Sequence, residues 1–133
     1  MQNTATELPP FVLPAPVVIN LPVPPSSNNM FFNWQGGRAK SADYKRWLKE
    51  ADACFLEQKR SIHRVTGPCE IHIKLPINTR GDVSNRIKAA EDYLVSREIT
   101  GDDKHNRKVT IEKAASVKWC VVTITPLDLA RSA

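Results

Sequence analysis

The stretch EIHIKLPINTRGDVSNRIKAAEDYLVS, Glu70 to Ser96, carries two periodicities back to back. Its first residues alternate, with Ile71, Ile73 and Leu75 set against Glu70, His72 and Lys74. A period of two marks a strand with one buried face. From Val83 the period lengthens. At about 100° per residue, Val83, Ile87, Ala90 and Leu94 fall on one apolar stripe, which predicts an amphipathic helix from about Val83 to Ser96. Asp82, Asn85, Lys88 and Asp92 share a separate polar strip. That strip suits a solvated face with Asp82 as N-cap and a Lys88–Asp92 pair one turn apart. It also suits a chemical site.

Working outward, the residues before this stretch predict two more elements. PVVINL, Pro16 to Leu21, reads as a strand starting after proline. PVPPSSNN then demands a loop. Ser41 is a good N-cap for a helix running to about Arg60. Its apolar face is Tyr44, Trp47, Leu48, Ala51, Cys54 and Phe55, with Lys45, Lys49 and Asp52 pointing away. After Ser96, RKVTIEKA predicts a strand, and Trp119 to Ile124 is apolar on both faces, as a central strand is. The order strand, helix, strand, helix, strand, strand is that of an α/β (α+β) two-layer domain. It implies a mixed sheet of about four strands with two main helices. Residues 1–15 are expected to be a flexible tail and 16–133 a single domain.

Composition bounds the function. The 133 residues suit one ordinary domain, and 19 Lys and Arg against 14 Asp and Glu leave a net charge of +5. Residues 1–37 contain no Lys or Arg, so the positive charge is confined to the chain from Arg38 onward. Such an excess favours a polyanionic partner. Cys54, Cys69 and Cys120 are too few and too dispersed for a zinc site, and an odd number argues against a disulfide framework. They point to a reducing cytoplasm and to buried thiols. No apolar run is long enough to span a membrane, and no basic leader precedes an apolar segment.

Acids in a basic protein need an explanation. Asp82 lies where strand and loop hand over to helix, and Asp102-Asp103 lie in the turn before the next strand. The sequence therefore suggests that their carboxylates converge. Mg²⁺ takes oxygen ligands, commonly one or two protein carboxylates, with water and phosphate completing its shell. An acid pocket with a divalent ion is what phosphodiester cleavage uses, and Lys88 would add a positive charge beside the same oxygens.

These residues resemble the RusA-type Holliday junction resolvases, bacterial enzymes often carried by prophages. The resemblance spans about Val18 to Thr125 and rests on LPVPPSSNN, on DVSNRIKAAEDYL (Asp82 to Leu94) and on GDDKHNRKVTIEKA (Gly101 to Ala114). It implies a cytoplasmic homodimer that recognises a four-way DNA junction by shape and nicks two opposing strands with Mg²⁺, or with Mn²⁺. By position it implies catalytic roles for Asp82, Lys88 and Asp103, and places Asn85 and the loop with Ser27, Asn28 and Asn29 near the substrate. One departure stands out: Ser84 occupies the place of the family's second aspartate. Asp92 or Asp102, or a water held by the Ser84 hydroxyl, are candidate substitutes. Glu91, seven residues on, is about 10.5 Å further along a helix and too far.

Phosphate contacts are expected from Arg80, Arg86, Lys104 and Arg107, with Lys45, Lys49 and Lys108 as further candidates. Phe31 and Phe32 suit either base wedging or core packing. His105 follows the acid pair and suits the scissile phosphate or a solvated turn; His72 and His63 read as exposed. Two other functions fit fewer of these features. One is a junction-binding protein without cleavage, with Ser84 marking a lost ligand. The other is an adaptor whose proline-rich N-terminus docks elsewhere.

Overall fold

Apolar side chains that alternate along four strands are brought into register across one sheet. The computed structural model describes residues 15–101 and 106–127. In chain order it contains β1 (Val17–Leu21), β2 (Phe31–Trp34), β3 (Gly37–Lys40), α1 (Ala42–Gln58), β4 (Cys69–Pro76), α2 (Ile87–Ser96), β5 (Asn106–Ala114) and β6 (Cys120–Pro126). The main sheet has the order β1-β6-β4-β5. Its β4–β5 pair is parallel and its other pairs are antiparallel. Ile19, Val122, Ile73 and Ile111 stand in one cross-strand row, and Val17, Ile124, Ile71 and Val109 in the next. These rows floor a core that also takes Tyr44, Trp47, Ala51, Ala89, Ala90, Tyr93 and Leu94 from the two helices. The fold is the α+β class expected, with a mixed sheet and two main helices. Among the described residues no helix is long and apolar enough to cross a membrane.

The helices form where the sequence places their caps. The Ser41 hydroxyl accepts the Tyr44 N–H at 3.0 Å and starts α1. Small Ala89 and Ala90 let α2 sit close to its neighbours. The Trp47 and Tyr93 rings then meet edge to face at 5.5 Å, an arrangement worth about 0.5–1.5 kcal/mol beyond area burial. At the end of α1 the Gln58 amide turns onto the outer strand. Its Oε1 accepts the Asn20 N–H at 2.7 Å, and its Nε2 donates to the Asn20 carbonyl at 2.7 Å.

Four sequence expectations are corrected. Asp52 does not point away from the domain: it accepts hydrogen bonds from the Tyr93 hydroxyl at 2.8 Å and from Arg97 Nε at 2.6 Å. Val83–Arg86 is a 3-10 turn, and the α-helix starts only at Ile87. Trp119 lies outside β6 and is 50% exposed. Finally, β2 and β3 form a separate antiparallel hairpin that periodicity did not reveal. β6 is central as expected, but only its Cys120, Val122 and Ile124 face is buried, because the helices cover one side of the sheet. Residues 1–14 of the expected tail lie outside the described residues.

Candidate active site

The register sets which loops can meet. Leu21 pairs with Cys120, and Lys74 with the next residue, Val121, so β1 and β4 end at the same end of the sheet. Two loops leave there: the proline-rich run from Pro22 toward Asn29, and the run from Ile77 to Asp82. Arg86 joins them. Its Nη1 donates to the Pro24 carbonyl at 2.6 Å and its Nη2 to the Arg80 carbonyl at 2.9 Å. Its Nε is also buried. Two of the guanidinium's donors are thus engaged by backbone carbonyls. Arg86 braces the two loops.

Asp82 is held by its own turn. Gly81, at φ +80, makes the reversal that an L-residue adopts only under strain. Asp82 Oδ1 then accepts the Ser84 N–H at 3.1 Å and the Ser84 hydroxyl at 2.9 Å. The N-cap expected of Asp82 is therefore present. Its other oxygen, Oδ2, has no partner among the described residues. The carboxylate is solvent-exposed and fixed in direction, which suits a hard cation. Ser84 thus bonds to Asp82 through both its backbone N–H and its hydroxyl.

Lys88 and Asp92 pair at 3.1 Å, as their i,i+4 spacing predicts. The pair stands beside α1: burial first, then the Asp92 carboxylate, push the Tyr44 phenol up, while Lys88 and Arg97 pull it down. From Asp82 to Asp92 the chain climbs a 3-10 turn and more than one α-turn, on the order of 15 Å. Asp92 therefore sits more than one helical turn into α2, paired with Lys88, while Asp82 caps the preceding turn. Among the described residues no three His, Cys, Asp or Glu side chains form a metal-binding group. Asp102, Asp103, Lys104 and His105 lie outside those residues. The strand after them begins with Asn106 beside Cys69, the first residue of β4, whereas Asp82 follows the last.

Ser27, Asn28 and Asn29 form an exposed 3-10 turn packed beside the Val83–Arg86 turn. Asn85 is half-buried, and its backbone N–H donates to the Asp82 carbonyl at 3.3 Å. Arg80, Lys45, Lys49, Lys108 and His63 are exposed, and Arg107 is a residue of β5. His72 pairs with Glu112 across β4 and β5. Phe31 is half-buried against Tyr44, whereas Phe32 is 47% exposed. Sequence reading overlooked Trp34, although a Gly-Gly turn signal follows it closely.

A one-sided mixed sheet, a basic chain and two braced loops presenting a fixed carboxylate define an α+β domain with an acid exposed at one end of its sheet. A search of curated proteins returned no match. A protein-family model, endodeoxyribonuclease RusA, matches residues 22–125, most of the chain. The chain belongs to that family and is an endodeoxyribonuclease of the Holliday junction resolvase type. Nucleases of the family bind junction DNA and are generally dependent on a divalent metal.

Proposed function

We propose that this chain resolves four-way DNA junctions by paired, symmetric nicks that depend on Mg²⁺, acting as a homodimer. The observation that carries the proposal is the Asp82 carboxylate, fixed through Oδ1 and with Oδ2 unpartnered among the described residues. Asp82 would hold the ion; a part for Asp103 at that ion rests on the sequence motif alone, since β5 starts beside the first residue of β4 and Asp82 follows the last. When bound, such an ion supplies hydroxide at neutral pH and neutralises charge on the phosphate oxygens. Ser84 keeps the Asp82 carboxylate in one orientation. Lys88, set in place by Asp92, offers its ammonium to the scissile phosphate. Ser27, Asn28 and Asn29 carry side chains suited to phosphate contacts that position DNA without reading its sequence. Two nicks call for two sites, and a closed two-fold pair is the commonest way to present them.

The test is single-turnover cleavage of a mobile four-way junction with and without Mg²⁺. Asp82→Asn should lose nicking and bind the junction as well as wild type or better, since a negative charge near phosphate is gone. Lys88→Ala should lose about 10²-fold in rate or more. Wild-type turnover by Asp82→Asn would overturn the assignment. Junction binding without cleavage is a second reading, favoured by Ser84 in place of an acid. A wild-type protein inert at every Mg²⁺ and Mn²⁺ concentration would establish it.

A further inference from the structure

The β2–β3 hairpin stands apart from the sheet and carries aromatic surface that the core does not use. Phe32 is 47% exposed and Trp34 59%. As alternate residues of one strand they share a face, and their rings meet edge to face at 6.2 Å. Their cross-strand partners are Ala39 and Gly37, so no bulky neighbour across the strand covers either ring. The opposite face holds Phe31, whose ring packs on Tyr44 at 5.6 Å and lies under the Arg38 guanidinium at 4.3 Å. Lys40 is paired with Phe31, and the ten residues from Phe31 to Lys40 include no acid. One side of the ribbon is therefore cationic and the other aromatic.

The hairpin is also stiff and well placed. Gln35 and Gly36 both have positive φ, 47 and 79, the pattern of the I′ turn that matches strand twist. At its foot the Ser41 N–H donates to the Met30 carbonyl at 2.8 Å, and the Ser41 hydroxyl to the Asn29 carbonyl at 2.6 Å. That foot follows directly on the Ser27–Asn29 turn beside the Asp82 loop.

We infer that this hairpin is the branch-point wedge of the enzyme, with Phe32 and Trp34 stacking on bases left unstacked where DNA strands diverge. The inference rests on the junction-resolving function proposed above and adds the residues that engage the branch. Bare ring faces suit a nucleobase, every one of which has a π-face, and the cations behind them suit phosphate. A continuous duplex offers no free base face, so the contact selects branched DNA by shape.

The test uses the full chain, without divalent metal, and a four-way junction carrying 2-aminopurine beside the branch. Wild type should raise the probe fluorescence and bind the junction more tightly than linear duplex. Phe32→Leu and Trp34→Leu should each reduce the rise and weaken junction binding by about 10-fold, leaving duplex affinity unchanged. Trp34→Phe should restore both. Melting temperatures equal to wild type check that the variants fold, and the restoring variant distinguishes ring stacking from hairpin damage. A silent probe in a wild type that still prefers junctions overturns the wedge alone. So do Leu variants that bind the junction as wild type does, or that merely dissociate a dimer in sedimentation. A wild type with no preference for junctions overturns the junction-resolving reading itself.

Discussion

At Ser84 a hydroxyl stands 2.9 Å from the carboxylate it supports, and exchanging it for an acid changes the electrostatics of the turn. Two carboxylates in contact repel unless a cation lies between them. Ser84→Asp should therefore melt below wild type in chelator and gain more than wild type from added Mg²⁺. The Mg²⁺ needed for half-maximal nicking should fall as well. Paired thermal melts with and without Mg²⁺ check this, and identical shifts for the two proteins would place Ser84 outside the reach of the ion. The cap on Asp82 and the Lys88–Asp92 pair were legible in the sequence because both are local. Arg86 was not, because its partner Pro24 lies 62 positions away and is a backbone carbonyl. Side-chain type says nothing about such a bond.

Between elements, α1 is tied to the C-terminal end of α2 by the group Asp52, Tyr93 and Arg97. Arg97 donates to both carboxylate oxygens, from Nε at 2.6 Å and from Nη2 at 2.8 Å. Its hydrogen bond is the main reason that Asp52 is held below the ordinary carboxylate value of 3.8. A depressed acid contributes stability that is present above its unfolded pKa and lost as pH falls through the folded one. Urea midpoints should therefore decline as pH drops below about 4, and Asp52→Asn should flatten part of that decline while lowering the midpoint at pH 7. An unchanged acid limb in the variant would show that other carboxylates set it. α1, α2 and the strands of the main sheet were legible because each buries one face, which writes a period into the residues. The hairpin left no such record: its strands are four residues each, and two of its three aromatic residues, Phe32 and Trp34, face water. The 3-10 turn was misread as helix for a related reason, since its spacing of three mimics a helical stripe.

For the molecule as a whole, the cysteines set an alkaline boundary. Burial pushes the Cys120 thiol up to about 12 and raises Cys69 too, with Glu91 adding to the latter. A group whose folded pKa is raised gives stability that is complete below its unfolded value, here 9.0, and is lost as pH rises toward the folded one. Unfolding midpoints should therefore decline from pH 9 upward, and Cys120→Ala should soften that decline. Thiol-specific reagents should modify Cys54, which is half-buried, before Cys69 or Cys120. Rapid labelling of all three in the native protein would contradict the packing. At the outer edge of the sheet, Gln58 takes both backbone groups of Asn20, so at that position β1 has nothing left for a visiting strand to bond. A second copy that laid a strand along this edge would lose its ladder at Asn20. Anything docking on this side meets a side-chain amide there in place of open backbone, which shortens the run of edge that fibre-forming contacts could use.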